Sequence, residues 1–249
     1  ISIKPGNINK KIKIILKGSS YTPDFYWEEF FYEKDRERND SWVDNNVHLG
    51  DFVKNINGDS AYYIVLTIEN EIIDDPSKIF LDETNRRKKL IEQSGLSEKF
   101  HKLVLSADNF IVKKGMGKSI VAGYHWFSDW GRDTLIALPG LTLVTKRFED
   151  AKQILQSFGK YCKNGLIPNV FGERDSQPVY NTVDASLWYV DRIYQYLKYT
   201  NDLSLAEKLW STLQSIINGY RNGTDYSIHM DNDFLISHGE GLTWMDVKI

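Results

Sequence analysis

The first part of the chain, up to about residue 75, carries the short alternating patterns of β-strands. In KIKIILKG, which begins at Lys11, lysine and isoleucine alternate with the period of two expected of a strand. SAYYIVLTIE (60–69) is rich in aromatic and β-branched residues and lies between turn-forming residues. The charge-dense EKDRERND (33–40) between them predicts a solvated loop. Residues 1–75 are therefore predicted to be the end of a β-sandwich-like domain, with the strand pairing left open.

From about residue 76 the apolar positions recur at the spacing of helices. ETNRRKKLIEQSG (83–95) predicts a helix that stops at Gly95. SEKFHKLVLSADNFIV (97–112) predicts a helix with one apolar stripe. The members of that stripe are Phe100, Leu103, Val104 and Ala107.

Four further segments with helical patterns follow along the chain. LIALPGLTLVTKR (135–147) predicts a helix in which Pro139 and Gly140 mark a kink or the true start. The segment 147–165 places Ala151, Ile154, Leu155 and Phe158 in register, and segments 185–200 and 202–220 form another pair. Helices of about fifteen residues joined by short turns predict an array of helical hairpins over residues 76–249.

Composition and charge exclude several classes of protein. The 249 residues suit one large domain or two smaller ones. A net charge of -3 gives no basic field for nucleic acid, and no run of about 18 apolar residues predicts a membrane span. The single Cys162 excludes an internal disulfide and fits a reducing compartment, so we predict a cytoplasmic protein. Because the chain opens on Ile1 and stops shortly after TWMD, we expect a fragment of a longer protein.

Three aspartates recur at one place in the hairpin pattern. Asp133 ends WGRD, Asp184 ends NTVD and Asp246 ends TWMD, each where a helix is expected to begin. The three helices alternate along the chain, and in a ring of hairpins alternate helices are the inner ones. Their N-termini would therefore gather at one mouth, where the positive helix ends favour carboxylates.

Aspartate is also a preferred N-cap, and capping would explain any one of the three. Capping does not explain the residues around them, which include Arg132 and tryptophans at 126, 130, 188 and 244. The chain is rich in such rings, with 7 Trp and 14 Tyr, whose flat faces and polar edges suit a ligand with apolar faces and hydroxyl rims. The cluster therefore favours a functional site over a set of caps.

Clustered carboxylates beside aromatic rings suit the hydrolysis of a glycosidic bond. One carboxylic acid protonates the leaving oxygen, and a second carboxylate activates water or acts as the nucleophile. Other acidic and guanidinium groups hold sugar hydroxyls. His229 and His238 lack metal-ligand spacing with a cysteine or a second histidine, so neither a metal nor an organic cofactor is predicted.

At these residues the sequence resembles the amylo-α-1,6-glucosidase part of glycogen debranching enzymes, in their archaeal and bacterial form. The resemblance rests on an ordered set of three segments from about residue 76 onward. They are YHWFSDWGRDTLIALPGL (124–141), GLIPNVFGERDSQPVYNTVDASLW (165–188) and GLTWMDVKI (241–249). It implies a partial (α/α)6 toroid barrel, with the active site at one mouth and an α-glucan such as glycogen or limit dextrin as the partner.

The resemblance also implies roles for residues, carried over by motif position. Asp246 corresponds to the general acid, and Arg132 with Asp133 to the pair that holds the terminal glucose. Asp184 and Asn181 match substrate-contacting positions. The resemblance also implies that the rings of Trp130, Trp244 and Tyr124 stack against the sugar. Related barrels invert configuration, which places the two catalytic carboxyls roughly 6.5–9.5 Å apart with water between them.

The family's general base is a glutamate late in the barrel, and this chain ends before reaching it. Glu173 and Glu240 lie near the motifs but are expected to belong to a rim loop and a turn. We therefore expect the fragment alone to be inactive. Three alternatives stay open: a glucoamylase- or trehalase-like α-glucosidase on the same barrel, a non-catalytic α-glucan-binding module, and a helical-repeat scaffold.

Overall fold

The computed structural model describes residues 1–4, 6, 9–70, 75–115, 117–124, 127–171 and 177–245. The chain divides into two compact units, Ile1–Thr84 and Asn85–Ile249. The division falls after Thr84, inside a helix and nine residues beyond the predicted boundary at residue 75.

The first unit is built mainly from antiparallel strands. One sheet has the order β1–β2–β5, and β3 pairs with β4 in a long hairpin with an irregularity between Pro23 and Tyr26. The elements are β1 (Ser2–Ile3), β2 (Ile12–Ile15), β3 (Ser20–Phe31), helix α1 (Glu33–Glu37), β4 (Val43–Val53) and β5 (Val65–Thr67). The β-rich prediction is confirmed for this unit, whereas its sandwich-like arrangement stays a prediction.

The hairpin connection differs from the predicted loop. Residues within EKDRERND form α1, because the N–H of Tyr32 donates to the Trp42 carbonyl (2.8 Å) and the Tyr32 carbonyl accepts from Arg36 (3.1 Å). No described side chain among residues 1–84 is buried, and aromatic rings such as Phe25 and Trp27 are largely exposed on β3.

Helix α2 (Pro76–Ser94) shows why its ends fall where they do. The Asp75 carboxylate accepts hydrogen bonds from the backbone N–H groups of Ser77 (3.0 Å) and Lys78 (3.3 Å), and Pro76 occupies the first helical position. The helix stops before Gly95, whose φ of 64° is the left-handed conformation that glycine adopts without strain. The predicted glycine stop is confirmed.

The second unit is mainly helical, as predicted. Two short ribbons, β6–β7 and β8–β9, accompany the helices and were not predicted. Its elements are α3 (His101–Phe110), β6 (Ile111–Lys114), β7 (Gly117–Ile120), α4 (Gly131–Leu138), α5 (Phe148–Gly159), α6 (Ala185–Thr200), α7 (Leu203–Asn222), β8 (His229–Met230) and β9 (Ile236–Ser237). A π-helical turn, Pro139–Leu143, continues α4, so Pro139 marks a change of helical form and not the start of the helix.

The core of this unit lies among α4, α5, α6 and α7. The predicted stripe of α5 is confirmed, since Ala151, Ile154, Leu155 and Phe158 are all buried. The stripe predicted for residues 97–112 is only half confirmed: Val104 and Ala107 are buried, whereas Leu103 is 65% exposed and Phe100, just before α3, is 38% exposed. Periodicity marks the apolar positions of a helix but does not say which of them another element covers.

Charged side chains form a chain of ion pairs beside this core. Arg147 donates from Nη1 to Asp108 (2.6 Å) and from Nε to Asp150 (2.6 Å), and its side chain is only 9% exposed. Asp108 also accepts from Arg86, and Asp150 from Lys118. Burial tends to raise the pKa of the Asp108 carboxyl, but the hydrogen bonds from the two arginines outweigh it and hold that pKa below its ordinary value.

Replacing Arg147 by methionine should lower the free energy of unfolding by about 3 kcal/mol, because two poorly hydrated carboxylates lose a shared partner. Urea denaturation followed by circular dichroism measures the change. Lys208→Met is the matched control, since Lys208 is exposed on α7 and has no ion-pair partner among the described residues. Equal unfolding midpoints for the two variants would show that the network adds nothing to stability.

Candidate active-site pocket

The first motif is held in place by a close approach between two backbone segments. The N–H of Gly131, the first residue of α4, donates to the Asn169 carbonyl (2.6 Å). A Cβ on Gly131 would lie 2.0 Å from the Pro168 carbonyl oxygen, so no larger residue fits without movement of the backbone. The isolated bridge between Trp130 and Val170 continues the same contact. The segments DWGRD and GLIPNV are therefore joined through their main chains.

Arg132 links three parts of the chain that are far apart in sequence. Its Nε donates to both carboxylate oxygens of Asp184 (2.9 and 2.8 Å), and its Nη2 donates to the Thr182 hydroxyl (3.2 Å) and the Leu242 carbonyl (3.4 Å). The residue is only 8% exposed. The starts of α4 and α6 therefore lie side by side, as the spacing of the aspartates predicted.

The Asp184 carboxylate is a fixed anion. Burial tends to raise its pKa, but the hydrogen bonds from Arg132 and from the Thr182 hydroxyl (2.6 Å) outweigh burial and lower the pKa. Asp184 occupies the N-cap position of α6 without making a side-chain capping bond. Capping thus does not explain this residue, and its observed role is to hold Arg132.

The segment around residue 183 is also fixed from the other side. The N–H of Val183 donates to the Leu242 carbonyl (2.9 Å), and the Val183 carbonyl accepts from the buried Tyr220 hydroxyl (2.5 Å). Burial raises the pKa of Tyr220 to about 12, so the phenol stays protonated as a donor at neutral pH. The third motif is thereby connected to the second through backbone groups.

An open pocket of about 400 Å³ lies over this arrangement. The predicted residues Trp130, Arg132, Asp133 and Trp244 line it together with Ala122 and Phe127. A neighbouring depression of about 350 Å³ shares Ala122, Arg132 and Asp133 with it. The structure thus brings four of the predicted site residues to one surface.

Within this pocket Asp133 and Trp244 are the groups most available to a ligand. Asp133 lies in the first turn of α4, where the positive helix end favours a carboxylate. Its side chain is exposed, and among the described residues no hydrogen bond or ion pair ends on it. Trp244 is 73% exposed and presents a flat apolar ring. A carboxylate and an aromatic face thus remain open to the same space.

Four other predicted site residues are not among the described residues that line the pocket. Asp246 lies outside the described residues, two positions after Trp244. Tyr124 is 51% exposed and is absent from the described lining of the pocket. Asp184 lies behind Arg132, and the side-chain oxygen of Asn181 is buried without a partner among the described residues. Ligand contact by these four residues stays a prediction.

Some residues of the site were not assigned from sequence. Phe127 belongs to the aromatic motif, so the sequence already indicated that it could line the site. The Thr182 hydroxyl and the Leu242 carbonyl had no recognisable signal, because their role depends on how the segments pack. Glu240 lies in a turn, as expected, and Glu173 lies outside the described residues.

Two further classes of feature were searched for in the described part of the chain. No group of three or more His, Cys, Asp or Glu side chains there is arranged to hold a metal ion. No helix formed by the described residues is long and apolar enough to cross a membrane.

The described part of this unit is a mainly helical domain with an open pocket lined by aromatic and acidic side chains. Residues 105–249 match the family model described as amylo-alpha-1,6-glucosidase. Since this match covers more than half of the 249 residues, the chain belongs to the amylo-alpha-1,6-glucosidase family.

A curated relative agrees with this assignment. Over an alignment of 84 positions, which covers 32% of this chain, the sequence is 38% identical to part of the protein named glycogen debranching enzyme from Saccharomyces cerevisiae (strain ATCC 204508 / S288c). The matched segment spans only 5% of that yeast protein. No solved structure matches the chain significantly. The archaeal or bacterial type inferred from the sequence stays a prediction.

Replacing Gly131 by alanine should destabilise the protein by at least about 2 kcal/mol, because the new methyl group would overlap the Pro168 carbonyl. Gly140→Ala is the matched control: nothing lies within 4 Å of its added Cβ, and alanine favours the helical conformation. Thermal unfolding of both variants tests the contact. Equal melting temperatures would contradict the close approach at Gly131.

The ion pair of Arg132 with Asp184 should give stability a defined pH dependence. Because the folded pKa of Asp184 is lowered, its stabilisation is complete above the unfolded value of about 3.9 and is lost as pH falls through the folded pKa. The difference in unfolding free energy between the wild type and Asp184→Asn should therefore be constant from about pH 7 to 5 and shrink below about 4. Urea titrations at each pH measure it, and a difference that grows on acidification would contradict the assignment.

Proposed function

We propose that this protein is a glycoside hydrolase that removes α-1,6-linked glucose stubs from glycogen or a related α-glucan. The observation that carries the proposal is the pocket in which Trp130, Asp133 and Trp244 converge on the same open space. The family assignment of residues 105–249 supports the reaction class. The name of the yeast relative supports glycogen debranching.

In this proposal the pocket holds the glucose that is to be released. The Asp133 carboxylate accepts hydrogen bonds from sugar hydroxyls, and the ring of Trp244 stacks against the apolar face of the sugar. Arg132 is fixed by Asp184, so any donor it offers to the sugar has a set direction. Fixed partners reduce the entropy lost on binding and orient the scissile bond.

The chemical step in the proposal follows inverting acid/base catalysis. Asp246 protonates the leaving glycosidic oxygen, and a second carboxyl group outside these motifs activates water on the opposite face of the sugar. Asp246 follows Trp244 by two positions, which supports its placement near the pocket. The Asp184 carboxyl is unsuited to act as the acid, because its lowered pKa keeps it ionised.

The proposal also covers the fold of the whole catalytic domain, its partner and its location in the cell. We propose that the helical hairpins form part of an (α/α)6 toroid that follows a separate β domain over residues 1–75. The packing of α4 against α6, and of α5 against α6 and α7, supports alternating inner and outer helices. An α-glucan is the proposed partner and the cytoplasm the proposed location.

Hydrolysis is tested with the natural protein in its full length, because the family resemblance implies a general base late in the barrel, apart from the three motifs. Glucose release from a branched limit dextrin should fall roughly a hundredfold or more in Asp246→Asn, as expected when a general acid is lost. Glu207→Gln, an exposed carboxylate on α7, should leave the rate unchanged. Release of equal amounts by both variants would exclude Asp246 as the acid.

Binding is tested separately with the 249-residue chain and a maltooligosaccharide. Trp244→Ala and Asp133→Asn should each weaken binding several-fold. Trp210→Ala is the control and should leave binding unchanged, because Trp210 is also exposed (57%) but lies on α7 and does not line the pocket. If this chain binds the maltooligosaccharide but the full-length natural protein releases no glucose, the result would favour a non-catalytic glucan-binding module. Faster hydrolysis of linear maltooligosaccharides than of branched ones would favour a glucoamylase-like enzyme.

A further inference from the structure

A second cleft, of about 380 Å³, lies between the β6–β7 ribbon and helix α5. It shares no lining residue with the pocket of Trp130 and Trp244. Its size falls in the range of about 300–1,000 Å³ typical of small-molecule sites. Most of the described residues that line it carry polar or charged side chains. Among them are Lys114, Asp129, Gln156, Ser157, Lys160 and Tyr161.

One wall of this cleft is fixed by a buried carboxylate. Asp129 is only 6% exposed and accepts two hydrogen bonds from Lys114 Nζ (2.8 and 2.7 Å) and one from the Ser119 hydroxyl (2.7 Å). Lys114 Nζ also lies 4.6 Å from the centroid of the Phe171 ring. Because a carboxylate has about four acceptor positions, Asp129 retains one for a ligand.

The lysines of the cleft are largely neutralised. Lys114 is paired with Asp129, and Lys118 is paired with Asp150. Only Lys160 has no carboxylate partner among the described residues. The cleft therefore offers many polar groups but little net charge, and an anion gains less from it than the number of lysines suggests.

Polar groups without a partner converge from the opposite wall. Among the described residues, no hydrogen bond or ion pair ends on the side chains of Gln156, Ser157 or Lys160, all in the last part of α5 or just after it. Tyr161 adds a flat ring that is 44% exposed and stands edge-on to Phe171, with centroids 5.2 Å apart. Donors, acceptors and an aromatic face thus surround one small space.

We propose that this cleft is a second binding site, specific for a neutral polyhydroxylated ligand of one or two α-linked glucose units. The identity of the ligand as a glucan unit rests on the proposed function, whereas its polyhydroxylated and uncharged character rests on the cleft alone. Gln156, Ser157, Lys160 and the free acceptor of Asp129 bind hydroxyl groups. Tyr161 contacts the apolar face of the ring. The site holds a glucan chain away from the pocket where cleavage is proposed.

Nuclear magnetic resonance of the 249-residue chain, titrated with maltose, tests the site directly. The side-chain amide signals of Gln156 and the backbone signals of residues 157–161 should shift, and they should still shift in Trp244→Ala. The double variant Gln156→Ala/Lys160→Ala should weaken this binding roughly tenfold, since two hydrogen bonds are lost. Lys163→Ala is the matched control, because Lys163 is exposed nearby but does not line the cleft.

A parallel titration with inorganic phosphate separates the two ligand chemistries. If phosphate shifts the same signals at lower concentrations than maltose, the cleft is an anion site and the inference is wrong. If maltose shifts signals near Trp244 but none at residues 156–161, the second site is excluded while the proposed function stands. If maltose shifts the signals at 156–161 and none near Trp244, the second site stands and the proposed pocket fails.

Discussion

The buried guanidinium of Arg132 is the constraint on which the candidate pocket depends. A charged group with so little access to water is stable only when its donors are satisfied, and Asp184, Thr182 and the Leu242 carbonyl provide those partners. They come from separate segments, so satisfying one side chain fixes the start of α4, the start of α6 and the segment before Trp244. The positions of Asp133 and Trp244, which line the pocket, therefore depend on this arrangement.

The long helices could be predicted because each carries a continuous signal. In α5 every predicted stripe residue is buried, and Gly95 and Asn201 end their helices in left-handed conformations that suit those residue types. The β6–β7 and β8–β9 ribbons escaped prediction because strands of two to four residues are too short to show a period. Leu103 shows the opposite kind of error: the apolar pattern predicted that it is buried, but it remains exposed.

The chemical character of the site was also visible in the sequence, but its connections were not. The motif around Asp133 indicated an acidic and aromatic surface, and the residues that line the pocket include four named from sequence alone. The pairing of Arg132 with Asp184, which are 52 positions apart, depends on the packing of α4 against α6. The preference of aspartate for N-cap positions favoured a capping role for Asp184, but in the tertiary structure its carboxylate accepts from Arg132 and makes no capping hydrogen bond. No local rule predicts such a pair, since its two members never meet on one element.

The exposure of Trp244 also bears on the thermodynamics of recognition. An indole that is 73% exposed keeps apolar surface in contact with water until a ligand covers it. Removing that surface from water gives association a negative heat capacity change, so the enthalpy of binding becomes more favourable as temperature rises. The buried Arg132 adds little to this change because it is already dehydrated in the free protein. The heat capacity change of ligand binding at this surface would therefore depend more on one aromatic ring than on the buried guanidinium beneath it.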